Sequence, residues 1–263
     1  MDSLQMEKIE RFKQRVDFDR MLKAENTGEA VCATWPNALD APGLGAGWVV
    51  ADESIWRTNG GTVRETLLRR ADETVGVLIF VSEQGVEAAR RFLLLRVSNN
   101  MMPDVPYVQG PGGLGTFSVQ LPGAKAPSLI WIYRNSAFNV YARDTAVDIL
   151  PIAKWLQAKA ESGLVAAAAA QLRAPGPLNV SARRAAVGQP IDIAIAVPAA
   201  ARANYEMKLQ FDRQLLELTS QRGLAAQVRG LKAGLAGLDL YLIEVSTLRS
   251  VRSRVDLELT APR

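Results

Sequence analysis

The sequence predicts two domains of different class. An N-terminal α+β domain over residues 1–162, an antiparallel sheet with helices on a face, precedes an all-β immunoglobulin-like sandwich over 178–263. Three observations predict this. Strand-like and helix-like apolar runs alternate as far as residue 162. An alanine- and proline-rich stretch, 163–177, then breaks the pattern. Beyond it the apolar period becomes two and stays there to the end of the chain.

The first element is expected to be a helix over about residues 3–24, because Ile9, Phe12 and Val16 recur at helical spacing among charges. A stripe this short is below coiled-coil length, so the helix is expected to pack on its own domain. A loop rich in proline and glycine follows, from Trp35 to Gly47. Residues 47–56 and 62–70 flank Asn59-Gly60-Gly61, which predicts a β-hairpin. Thr74 to Val81 is apolar on both faces and reads as a central, buried strand. Ser82 is placed to cap a helix running to about Val97, with Glu83 complementing the dipole in its first turn. Residues 116–121, 128–134 and 137–143 read as strands, the last two joined by a tight turn at Asn135-Ser136. Asp148 is expected to cap a further helix with Pro151 in its first turn and Ile152, Trp155 and Leu156 on one apolar face. Trp131, Tyr133, Phe138 and Tyr141 span the preceding hairpin and read as core, not as an exposed stacking platform.

In the second half Ile191, Ile193, Ile195 and Val197 alternate with smaller or polar residues. So do Tyr205, Met207, Leu209 and Phe211, and Val251 to Leu259 repeats the pattern. With 178–182, 215–219, 224–229 and 238–245 this makes about seven short strands split by turn signals, the arithmetic of a sandwich. The Cys…Trp…Cys pattern of antibody domains is missing there.

Composition narrows the chemistry. The 263 residues include no histidine and one cysteine, Cys32. Histidine is the side chain that titrates near neutrality and the commonest metal ligand, so Ser-His-Asp and Cys-His nucleophile systems and His-ligated metals are excluded. Cys32 has apolar neighbours and reads as a small buried residue. The net charge of +4 is spread along the chain, so nucleic acid is not an expected partner. No stretch reaches the ~20 apolar residues of a membrane span, and residues 1–24 lack a signal peptide's apolar run. Taken as written, the chain is expected to be a bacterial cytoplasmic protein, or periplasmic or surface-exposed if a leader was removed.

One formal motif occurs. Gly110-Pro-Gly112-Gly113-Leu-Gly115 satisfies G-x-G-x-x-G, but a strand is expected after it where a dinucleotide site needs a helix. No Walker A, G-x-S-x-G, Ser-x-x-Lys or EF-hand pattern occurs, and no cofactor or metal is expected. Asp52-Glu53 and Asp72-Glu73 are adjacent acids near strand ends, where solvated carboxylates are ordinary. The candidate binding site is the long loop 99–115, through Met101, Met102, Asp104, Tyr107, Gln109, Gly112 and Gly113, because long loops in compact domains are often functional. The expected function is a non-catalytic binding or assembly role, with other protein subunits or further copies of the chain as partners. The alternatives are a His-independent hydrolase or ligand-processing enzyme using carboxylates, Lys or Tyr of the N-terminal domain, and a carbohydrate- or envelope-binding module.

Overall fold

The protein is mostly β-sheet. A computed structural model describes residues 3–18, 44, 47–58, 60–83, 85–99, 106–121, 126–143, 147–162, 174 and 176–261. The chain forms two compact units, one of Met1–Ala170 with Ser246–Leu248, the other of Gln171–Val245 with Arg249–Arg263. Most of the 163–177 stretch and Cys32 lie outside the described residues.

The first unit is built on a seven-stranded sheet. Its strands are β1 (Val49–Thr58), β2 (Gly61–Arg70), β3 (Glu73–Ser82), β4 (Val108–Gln109), β5 (Phe117–Leu121), β6 (Ser128–Tyr133) and β7 (Ser136–Ala142), in spatial order β1-β2-β3-β7-β6-β5-β4. Every neighbouring pair is antiparallel. Two meanders therefore meet where β3 pairs with β7. The Asn59-Gly60 signal gives a hairpin in which Thr58 opposes Gly61 and Gly60 has φ of +86°. β3 is buried from Val75 onward, as its two apolar faces demand.

Among the described residues three helices accompany the sheet: α1 (Ser3–Arg15), α2 (Val86–Ser98) and α3 (Leu150–Ser162). They are not confined to one face. Phe12 of α1 and Ala89, Leu93 and Val97 of α2 share a core with Val63, Leu78, Phe80, Ile130 and Ile132. Trp131, between the last two, points the other way, and its Nε1 donates to Gln157 Oε1 of α3 at 2.9 Å. The expectation of helices on a single face is thus corrected, with α3 covering the second face. Trp131 stacks on Phe138 with ring centroids 4.9 Å apart, and both are fully buried, so this aromatic pair is core.

Two local expectations also change. Ser82 does not cap α2, whose N-cap is Gly85 without a side-chain bond. β3 continues through Ser82 because the sheet end engages its polar groups: its N–H donates to Asn135 O, its hydroxyl to Gly60 O, and its C=O accepts from Asn135 Nδ2. The β6–β7 turn falls one residue early, with Tyr133 opposite Ser136 and Arg134 at φ +52°. The start of α3 is as expected, since Leu150 N–H donates to Asp148 Oδ1 at 3.1 Å.

The second unit has two four-stranded sheets. Its strands are β8 (Leu178–Val180), β9 (Arg184–Ala186), β10 (Pro190–Ile195), β11 (Tyr205–Phe211), β12 (Leu216–Arg222), β13 (Ala225–Gly230), β14 (Gly234–Glu244) and β15 (Ser250–Thr260). The orders are β12-β13-β10-β8 and β11-β14-β15-β9. All pairs are antiparallel except β9 with β15. One core joins the two sheets: Ile191, Ile193 and Val228 from the first meet Leu238, Leu240, Val255 and Leu257 from the second. These are the alternating residues of the period-two segments, and their burial drives the two sheets face to face. Among the described residues, no helix is long and apolar enough to cross a membrane.

Candidate functional site

Of the residues singled out in the loop before β5, the described ones, Tyr107, Gln109, Gly112 and Gly113, lie in different surroundings. Met101, Met102 and Asp104 lie outside the described residues. Tyr107 turns inward into the core under α2, and its hydroxyl donates to Ser128 Oγ at 3.4 Å. Burial raises its pKa, against smaller lowering effects from Ser128 and the charge of Arg96. Gln109 is exposed on β4 opposite Val119. Gly112 and Gly113 form an open turn with no atom near where a Cβ would project.

The glycine pattern has a structural cause. Gly115 sits at φ +58°, and a Cβ there would fall 2.0 Å from Ile132 O. Its neighbour Thr116 donates from N–H to the same carbonyl. Glycine therefore lets the β4–β5 return lie flat on β6, and a strand follows it. Pro111, from the same loop, lines a small cavity of about 250 Å³ with Leu129 and Ile149.

Several carboxylates of the first unit face arginines. Arg64, 1 % exposed, donates through Nε and Nη2 to Glu53 Oε2 at 2.9 and 2.6 Å, and Thr66 adds a hydroxyl at 3.3 Å. Glu83 accepts from Arg57 and Glu73 from Arg70. Tyr141 donates to Glu65 Oε1. Its phenol pKa is raised first by burial, then by the Glu65 hydrogen bond and charge, with Arg143 opposing. Among the described residues no three His, Cys, Asp or Glu side chains converge as a metal site.

The candidate site lies in the second unit, between strands that end its two sheets. β11 and β12 are outer strands of different sheets, and a groove of about 580 Å³ opens between them. Leu209, Phe211, Leu216, Leu218 and Leu231 line it with Gln210, Arg213 and Glu217. Leu218 is 39 % exposed and Leu231 45 %. Leu209 and Phe211 rest on the unit's core and Leu216 is part of it, so the groove is the unclosed side of that core. At one end Gln221 Nε2 donates to Met207 O at 2.6 Å and ties the two strands together. At the other, the 212–215 turn joins them, with Asp212 Oδ1 accepting from Gln214 N–H.

Sequence reasoning placed 205–212 and 215–219 on strands but missed the groove. Its two walls do not hydrogen-bond as a ladder, and nothing in period-two alternation shows which strands end a sheet. The available signal was a pair of leucines, Leu218 and Leu231, beside polar turn residues. No protein-family model matches the chain, and no curated protein matches its sequence.

Proposed function

We propose that the protein is a non-catalytic binding or assembly component that holds a protein partner in the groove between β11 and β12. The two units serve as separate domains, 1–162 and 178–263, and the second is an immunoglobulin-like sandwich. The groove is the observation that carries this reading. Its volume of about 580 Å³ is in the size class of ligand clefts, ~300–1,000 Å³, and its apolar lining reaches solvent through two leucines. The arginine partners of Glu53, Glu73 and Glu83 favour a scaffold over acid–base work, because these carboxylates are already engaged in ion pairs within the sheet.

Size-exclusion chromatography with light scattering, paired with capture from native lysate, tests the reading. The expected result is a retained partner or oligomer that Leu218→Arg and Leu231→Arg both release while the fold melts normally. A strict monomer with no captured protein, or capture that ignores both substitutions, contradicts it.

A further inference from the structure

We infer that the groove receives an extended, acidic segment of the partner as an added β-strand. This rests on the reading of the groove as the binding site.

Among the described residues, the backbone of β11 has unpaired groups on its open side. In an antiparallel pair, successive residues aim their N–H and C=O groups to opposite sides. Asn204 O accepts from Val245 N–H, which continues the β14 ladder. Met207 O instead accepts from Gln221 on the open side. The same parity aims the backbone of Leu209 and Phe211 into the groove. On β12, Leu215 O accepts from Leu231 N–H on the β13 side, so Leu218, of the opposite parity, aims outward. An apolar trough walled by outward backbone groups is the chemistry of strand addition, in which main-chain bonds give affinity and alternate side chains enter the trough.

The lengths of the outer strands point the same way. Outer strands invite pairing, and proteins shorten, bulge or charge them to prevent it. β4 has two residues and β8 and β9 three each. β1 is long but carries a register shift between Val50 and Asp52. β11 and β12 have seven residues each; β12 shifts register on β13 between Leu218 and Ser220, whereas β11 is in register with β14 throughout and is the edge left without such a break.

Charge completes the partner's description. Glu217 is neutralised by Arg229 at 2.6 Å. Arg213, which lines the groove, and Lys232, beside Leu231, are exposed and have no ion pair among the described residues. Asp212, in the turn at the groove's end, offsets one of these cations, so the surroundings keep a single net positive charge, to which a segment flanked by Asp or Glu is complementary.

The test uses the full chain and a fluorescein-labelled probe of alternating valine and threonine flanked by aspartates. Two control probes carry lysines for the aspartates or N-methyl groups on alternate amides. Anisotropy is expected to show saturable binding of the acidic probe and about tenfold weaker binding of the lysine probe. The N-methylated probe is expected not to bind, and Arg213→Glu to reverse the charge preference. Equal affinity for all three probes, or none for the acidic one, overturns the inference. So does a dimer in light scattering that Leu218→Arg dissociates, since a second copy then fills the groove. If Leu218→Arg releases a captured protein while the acidic probe fails to bind, strand addition falls and the binding site stands. If the substitution releases nothing, both fall.

Discussion

At one margin of the seven-stranded sheet, β1 carries a bulge near Ala51, Asp52 and Glu53 beside it, and Arg57 further on. Two of its charged side chains are tied inward, Glu53 to Arg64 and Thr66 and Arg57 to Thr62 and Glu83, while Asp52 stays at the surface. At the margins of the second unit, β11 and β12 leave an apolar groove, and Gln221 alone is seen to bridge it among the described side-chain hydrogen bonds. Both are sheet edges in one chain. The first ties Glu53 and Arg57 back into the sheet and breaks its register just after the exposed Val49 and Val50, and the second leaves leucine and the β11 backbone facing solvent. β11, which keeps seven residues in unbroken register with β14 and sets Leu209 and Phe211 against the groove, is the edge suited to be paired.

The largest expected effect is at the closed edge. Arg64→Ala leaves Glu53 without its guanidinium and opens a space behind β1. It is expected to cost about 3 kcal/mol in urea denaturation, with the m-value unchanged. A loss under about 1 kcal/mol shows that β1 is not held this way.

The opposite margin of that sheet depends on the β4–β5 return. Gly115→Ala forces a Cβ onto Ile132 O and is expected to cost about 2 kcal/mol, whereas Gly112→Ala stays within about 0.5. Equal melting temperatures for the two variants contradict this account of the glycine pattern.

Alkali gives a smaller effect. The pKa values of Tyr107 and Tyr141 are raised in the folded protein, so the folded state holds those protons more tightly than the unfolded chain. The resulting stability is fully present below the unfolded value of ~10 and is lost as pH rises through the folded values. Thermal melts are expected to fall above about pH 10, and less steeply in Tyr107→Phe and Tyr141→Phe than in the parent chain. A parallel decline in all three contradicts the assignment.

The smallest stability change is expected at the open edge. Leu218→Lys stands on an exposed wall and is expected to shift stability by no more than about 0.5 kcal/mol while reducing self-association or partner capture. A loss of 2 kcal/mol or more would make the groove part of the folding core.

The contrast between the edges also marks what the sequence makes legible. Period-two runs such as Ile191–Val197 and Val251–Leu259 announce strands because one side of each is buried locally. Thr74–Val81 announces a central strand because both of its sides are covered. β9 went unseen: three residues with exposed Arg184 carry no alternation, and the strand exists through its pairing with β15. Tyr107 reads as a loop contact because prolines and glycines surround it in sequence, yet the Ser128 hydroxyl and the α2 core draw it inward. Ser82 has the chemistry of a cap, but a distant turn at Asn135 claims its backbone. The groove was hidden for the same reason, since it depends on which strands remain unpaired after all others have found partners.

Residue-resolved amide hydrogen exchange on the full chain, with and without saturating acidic probe, tests the difference between the edges most directly. The account predicts that the amides of Leu209, Phe211 and Leu218 slow at least about tenfold when the probe is added, while those of β1 do not change. Protection appearing equally on β1, or absent from all three of those amides, contradicts it.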